Sequence, residues 1–228
     1  MCARPDHILE LYLLPSLKGT KIDELARQFQ IPIRYESADF FEDFTKGGVH
    51  QGVAARLLPF PYSSLREILA CEGELLLVLD GLTDPRNLGA LLRTAEGVGV
   101  AGVVITESRS VPLSAVAEKT ATGATAYLPI CRVDNLARAL SVIRESGYWL
   151  VGLVQDAPQS LYELQLSHKI ALVLGGEEKG LRLLTRQTCD CLVSIPMLGH
   201  VDSLNVSVAG AVALYEFLRR VLPQKEKT

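Results

Sequence analysis

The chain has 228 residues, of which 48% are hydrophobic and 21% charged, and its 23 Lys and Arg against 26 Asp and Glu leave a net charge of -3. That is long enough for one sizeable core, or for a main domain plus a small one. No apolar run reaches the length of a membrane span, and no overall basic field marks a nucleic-acid binder, so any RNA contact must come from local patches. The segment around Arg4, Pro5, Asp6 and His7 lacks the apolar core of a signal peptide, and a cytoplasmic location is the expectation.

In chain order, ELYLLPS reads as a short strand, TKIDELARQFQ as a helix opened by Thr20, and IPIRYES as a second strand. Seven Lys and Arg face eight Asp and Glu over residues 1–60, so this small α/β unit is close to neutral. PFPYSS reads as a linker ahead of a helix from Leu65 to Ala70. The expected organisation is a small first domain over residues 1–58, a linker over 59–73 and a larger domain over 74–228. From Glu74 onward strand and helix patterns alternate: LLLVLD, NLGALLRTAEGVG, VVIT, SAVAEKTATGA, NLARALSVIRESG, WLVGLV, IALVLG, LRLLTRQT and CLVSIP. A last helix carries Val206, Ala209, Ala213, Leu214 and Phe217 at three- and four-residue steps. Continuous apolar strands separated by helices predict a parallel sheet covered on both faces, with ligands beyond the carboxyl ends of its strands.

Three polar or glycine-rich loops follow strands: DGLTDPRNLG after Leu79, GGEEKG after Leu174 and MLGHVDSLN after Ile195. The first lacks the G-x-G-x-x-G of a dinucleotide site. The second lacks the Lys-Ser or Lys-Thr ending of a phosphate loop and carries Glu177 and Glu178, which repel a triphosphate. No G-x-S-x-G elbow is present. What the loops offer is Asn87, Arg93, Glu177, Ser203 and Asn205. Each has an ordinary alternative: Asn87, Glu177, Ser203 and Asn205 as helix caps, Arg93 as a solvated helix residue. The five cysteines are mostly scattered and fit reduced thiols; Cys189 and Cys191 have no second pair at ligand spacing, so no metal site is expected.

The stretches DPRNLGALLRTAEGVGV, ALVLGGEEKGL and IPMLGHVDSLNVSVAGAVALYE resemble, in order, the three motifs of the SpoU or TrmH family of RNA ribose 2'-O-methyltransferases. GGVHQGVAARL is similar to the branch that methylates a guanosine of the peptidyl-transferase loop of 23S ribosomal RNA. The resemblance implies an α/β fold whose C-terminal part threads a trefoil knot, an exception to unknotted chains, with a small RNA-binding domain in front. It implies S-adenosylmethionine as cofactor, held largely by backbone of Gly175, Ile195 and Leu204 with neighbours Gly176 and Met197. It places Asn87, Arg93, Glu177, Ser203 and Asn205 in the catalytic motifs, Arg93 acting as base or as electrostatic stabiliser. It also implies a homodimer in which Arg93 reaches across the interface, the Val206–Leu218 helix being an interface element. RNA contacts are expected from Lys46, His50, Gln51 and Arg56, in or beside GGVHQG. The family usually places a Y-G-x-x-x-V-x-x-x-L strand and helix ahead of the segment matching ILELYLL, so an RNA-binding domain that is either shortened or incompletely represented is expected. A tRNA ribose methyltransferase and an inactive RNA-binding assembly factor are the alternatives; GGVHQG favours rRNA over the first, and the five motif side chains argue against the second.

Overall fold

The computed structural model describes residues 4–46, 48–165 and 169–221. The chain divides into two compact units, Met1–Pro61 and Tyr62–Thr228. The first runs β1 (Ile8–Leu13), α1 (Lys21–Gln28), β2 (Ile33–Tyr35), α2 (Ala38–Thr45) and β3 (Val53–Leu57). β1 is the central strand, parallel to β2 and antiparallel to β3. Leu11, Leu13, Ala26 and Ile31 form the core of this unit.

Thr20 precedes α1 as expected, yet its hydroxyl donates back to the Leu17 carbonyl instead of capping the helix. The buried Asp23 supplies the local organisation. Its carboxylate accepts from the Tyr35 hydroxyl at 2.5 Å, the Gly19 N–H at 2.9 Å and Arg27 Nε at 3.3 Å. Helix α2 is not evident from periodicity: ADFFEDFT packs three acids and three phenylalanines into eight residues. Its formation rests on Ser37 Oγ, which accepts the Phe40 N–H, and on burial of Phe41, while Phe40 and Phe44 gather around Tyr12.

The second unit runs α3 (Leu65–Ala70), β4 (Leu75–Asp80), α4 (Pro85–Val98), β5 (Gly102–Thr106), α5 (Ala115–Ala121), β6 (Ile130–Val133), α6 (Leu136–Glu145), β7 (Tyr148–Leu153), β8 (Gln159–Ser160), β9 (Lys169–Gly175), α7 (Leu183–Thr188), β10 (Cys191–Ser194) and α8 (Val206–Val221). α3 lies inside the segment expected as linker, but it belongs to this unit. A Ser64–Glu67 capping box starts it, and its buried Ile68 packs on Gly102 of β5 so closely that a Cβ there would lie 2.7 Å from the isoleucine.

The seven strands are ordered β6-β5-β4-β9-β7-β10-β8, and every pair is parallel. The chain therefore lays down β4, β5 and β6 outward in one direction, crosses to β7, and later returns β9 into the gap between β4 and β7. All six residues of β4 are buried, as are all of β9 but Lys169, which is why both read as unbroken apolar runs. α3 and α6 cover one face with Ile68, Leu140 and Ile143 against Leu76, Val78, Leu150 and Val173. On the other side α8 lies against α4, with Gly210 between Leu91 and Leu174. The strand order reverses between β4 and β9, whose terminal residues Asp80 and Gly175 are register partners, and this is the switch point at which doubly wound sheets bind ligands. Burial pushes the Cys189 thiol up to about 12 and that of Cys191 to about 11, so neither supplies a thiolate at neutral pH.

The Tyr35, Gly19 and Arg27 donors hold the Asp23 carboxyl at about 2, below its value of about 3.9 in an unfolded chain. The stabilisation is therefore complete above about pH 5 and lost as pH falls toward 2. In hydrogen exchange of the β1 amides, the protection gap between wild type and Asp23→Asn is expected to be widest above pH 5 and to close on acidification; a pH-independent gap would rule out the ionised carboxylate as its source.

Candidate active site at the switch point

The carboxylate of Glu177, in the loop after β9, grips the start of α4. Its Oε2 accepts the Thr83 N–H at 3.1 Å and the Thr83 hydroxyl at 3.0 Å. Its Oε1 accepts the Asp84 N–H at 3.1 Å and Asn87 Nδ2 at 2.9 Å. An anion at a helix N-terminus satisfies backbone donors that the helix cannot, and it meets the positive end of the macrodipole. Partial burial pushes the Glu177 carboxyl up, but the bonds from Asn87 and from the backbone N–H groups outweigh it and hold it below the ordinary glutamate range. It is an anion with its acceptor capacity engaged.

Asn87 is buried, and its other amide atom, Oδ1, accepts Asn205 Nδ2 at 3.0 Å. Asn205 in turn caps α8, its Oδ1 accepting the Ser207 N–H at 2.9 Å and also the Ser207 hydroxyl. Thus one hydrogen-bonded line, Glu177–Asn87–Asn205–Ser207, joins the loops after β4, β9 and β10. One side chain thus caps α8 and bonds to Asn87, so the capping reading of Asn205 and its reading as a site residue are compatible.

Arg93 and Ser203 stand apart from this line. Both are exposed, and neither side chain hydrogen-bonds to another described residue. Arg93 follows Asn87 by six residues on α4, which turns it about 240° around the helix and carries it about 9 Å along the axis.

Gly175 and Gly176 are explained first by contacts of the chain with itself. A Cβ on Gly175 would lie 1.9 Å from the Gly180 carbonyl carbon, and one on Gly176 would lie 2.4 Å from the Gly81 oxygen. Beyond Ile195, residues 196–204 form an exposed loop whose backbone makes no hydrogen bond with another described residue. Met197, Leu198, Val201 and Leu204 are exposed along it. Unengaged amides and carbonyls beside apolar side chains suit a ligand with a flat heterocycle and a polar tail, such as S-adenosylmethionine.

In the first unit, Lys46 and Gln51 adopt left-handed backbone at φ 51° and 50°, and both are exposed, as is Arg56 on β3 opposite Glu10. His50 is occupied: its Nδ1 accepts the Gly52 N–H at 3.0 Å and its ring stacks on Phe41. The sequence reading passed over Thr83 and Asp84 as Glu177's partners. The only signal was their place just ahead of Pro85 at a helix start.

Residues 74–215 match the SpoU rRNA Methylase family, and the chain belongs to that family. It is 42% identical over 223 residues to the 23S rRNA (guanosine-2'-O-)-methyltransferase RlmB of Photorhabdus laumondii, covering 95% of this chain and 91% of that one. Its identity to the Escherichia coli K12 protein of the same name is 38%, covering 95% and 92%. Among solved structures, the SpoU methyltransferase AviRb from Streptomyces viridochromogenes in complex with AdoMet superposes with a TM-score of 0.82 at 25% identity, covering 96% of this chain and 88% of that one.

Glu177→Ala strands the Thr83 and Asp84 N–H groups and the Asn87 amide, and is expected to cost about 1–2 kcal/mol, read as a lower urea midpoint. Because the carboxyl is held low, the loss relative to wild type should be full above about pH 5 and shrink as pH falls below the ordinary glutamate value near 4.3. An unchanged midpoint at pH 7 would remove Glu177 as the clamp on α4.

Proposed function

We propose that this chain is a homodimeric methyltransferase that moves the methyl group of S-adenosylmethionine to the ribose 2'-hydroxyl of a guanosine in 23S ribosomal RNA. The observation that carries the reading is the Glu177–Asn87–Asn205 line at the switch point of a chain whose well-covered relatives are named for that reaction. No described helix is long and apolar enough to cross a membrane, and a substrate in the ribosome puts the enzyme in the cytoplasm. The return of β9 between β4 and β7, followed by the passage of residues 195–205 back to Asn87, supports the knotted threading that the family resemblance implies.

When bound, the cofactor supplies an electrophilic sulfonium methyl. The backbone of Ile195 to Leu204, together with that of Gly175 and Gly176, is the part of the chain that would hold it. Glu177 is too well satisfied to serve as the proton acceptor; it fixes Asn87, and through Asn87 the entrance of α8. Ser203, next to that entrance with a free hydroxyl, can orient the attacking ribose oxygen or relay its proton. A guanidinium stays protonated, so Arg93 acts by binding the neighbouring phosphate and stabilising the developing alkoxide.

Arg93 is turned away from the Asn87 of its own chain, and this supports a dimer in which it serves the partner's site. Around it, α4 shows a stripe of Arg86, Ala90, Arg93 and Gly97 at helical spacing. Beside Gly97 lies Tyr215 of α8, whose exposed face also includes Val208; the two are 54% and 48% exposed. A patch of this kind on a helix pair fits a two-fold interface. RNA contacts of the first unit are assigned to Lys46, Gln51 and Arg56, with His50 supporting the turn that presents them.

Arg93→Ala and Asn205→Ala are each expected to abolish methyl transfer, and Arg93→Ala should leave cofactor affinity within a few fold by calorimetry. Mixed and re-equilibrated in equal amounts, the two inactive proteins should recover about a quarter of wild-type activity, because half the dimers are mixed and each restores one site of two. No recovery would place Arg93 in the site of its own chain. Lys46→Ala with Arg56→Ala should weaken binding of an rRNA stem-loop and flatten its salt dependence by about one to two counterions, with cofactor affinity unchanged; an unaltered salt slope would clear both residues of phosphate contact.

A further inference from the structure

A cleft of about 370 Å³ opens beside the Glu177–Asn87 line, on the β4 and β5 side of the Glu177 loop; of the residues assigned to the cofactor it is lined by Gly176 alone, and by none of the 195–204 loop. Its wall carries Arg109, Lys179 and Arg182 together with Asp80, Glu177 and Glu178. Two of the carboxylates are already committed. Asp80 is buried; its Oδ2 accepts the Arg182 N–H at 3.1 Å, and its Oδ1 lies 3.1 Å from Arg182 Nε. Glu177 is bonded to α4 as described. That leaves Glu178, Arg109 and Lys179 exposed, with side chains that contact no other described residue through a hydrogen bond or ion pair.

Arg109 is held in place from both sides. Its backbone has φ 57°, a conformation uncommon outside glycine. The residues flanking it are anchored: Ser110 Oγ and the Val111 N–H donate to the Leu82 carbonyl at 3.1 and 2.8 Å, and Arg182 Nη2 donates to the Ser108 carbonyl at 3.4 Å. A short loop is thus pinned in a costly conformation, and it presents a guanidinium with no partner among the described residues to the cleft.

The cleft is balanced in charge, with three cations and three carboxylates. The uncommitted groups are the cations Arg109 and Lys179 and the carboxylate Glu178; a phosphodiester would use the cations alone and face Glu178 with its own charge, whereas a neutral base with both donors and acceptors can engage both signs. Guanine offers O6 and N7 as acceptors on one edge and N1–H and N2–H as donors on another, and Arg to O6 and N7 is the commonest specific contact to this base. Resting on the methyltransferase reading above, we propose that this cleft seats the target guanine, with Arg109 donating to O6 and N7 and Glu178 accepting from N1–H and N2–H. The base then lies next to Glu177, adjoining the centre where its own ribose reacts. Glu178 excludes adenine, which has no donor at N1 or C2.

The test uses the full chain and a 23S rRNA fragment in which primer extension has located the guanosine that wild type methylates. Synthetic fragments replace that guanosine by inosine, which lacks N2–H, or by 7-deazaguanosine, which lacks N7. For wild type each replacement is expected to lower kcat/KM about tenfold. In Glu178→Gln the inosine penalty should fall below about threefold while the 7-deaza penalty persists, and Arg109→Ala should show the reverse, as required of groups that read separate edges. Arg138→Ala, on the exposed side of α6, controls for loss of a positive charge. Penalties unchanged in both variants overturn the proposal. So does a uniform loss across all three fragments with a flatter salt slope, the signature of a phosphate site. Absence of methyl transfer by wild type on any fragment would instead defeat the parent reading, so the two failures are distinguishable.

Discussion

The grip of the Glu177 carboxylate on the first turn of α4 is the constraint on which the rest of the site depends. Ninety-odd residues separate the partners in sequence, and the bond exists only because β9 enters the sheet beside β4, bringing Gly175 level with Asp80. Once the carboxylate is there, Asn87 is oriented by a bond to one of its oxygens, and the remaining amide oxygen of Asn87 faces Asn205. The entrance of α8 is thereby set by an interaction that starts two loops away. A carboxylate is better suited to this than a neutral cap, since it accepts four donors at once and opposes the helix dipole.

Close approach of backbone is the second requirement, and it explains which positions must be small. The Glu177 loop can reach α4 only if Gly176 lies against the Gly81 carbonyl, where a methyl group would be 2.4 Å from the oxygen. α8 can deliver Asn205 to Asn87 only if Gly210 passes between Leu91 and Leu174, at 2.4 and 2.7 Å from a notional Cβ. Neither contact adds much energy by itself. Each removes a steric obstacle to the polar line, and a side chain at either position would force apart elements whose core packing is already complete.

The alternation of buried strands and amphipathic helices from Glu74 onward was legible because strands covered on both faces are apolar throughout; LLLVLD and IALVLG are β4 and β9 almost to the residue. The strand order was not legible. Nothing in the local pattern of residues 169–175 says that they pair with β4 and β7 instead of extending an edge. The short elements were missed for a related reason. ICRV and VAARL, which became β6 and β3, are too brief and too mixed for a period, and ADFFEDFT became α2 because Phe41 found a core. At the site, residue types at strand ends pointed to the carboxyl edge of the sheet, and the structure brought Asn87, Glu177 and Asn205 together there. That Arg93 and Ser203 would not join them required the helix rotation and the exposed loop, which are three-dimensional facts. His50 shows what sequence leaves out: a histidine beside glycines suggested a base contact, and the structure adds that its ring stacks on Phe41 and its Nδ1 accepts the Gly52 N–H.

A division of labour follows from which polar atoms are already satisfied. Glu177, Asn87 and Asn205 have their hydrogen-bonding capacity turned largely upon one another, and a group so engaged loses its existing bonds before it can make new ones with a substrate. The groups with free valence on this chain lie outside that line: the Ser203 hydroxyl, the backbone of residues 196–204, and Arg109 and Glu178 in the adjoining cleft, with the Arg93 guanidinium turned away from it on α4. The cleft and the 196–204 loop share no residue. On the reading proposed above, a methyl donor and a base would therefore each meet unengaged groups, while the internal line ties together the loops that carry them. Preorganisation of this kind places the cost of ordering in the folding of the sheet, before any ligand arrives, so that alignment of the 2'-hydroxyl with the methyl group becomes a matter of docking onto a rigid frame.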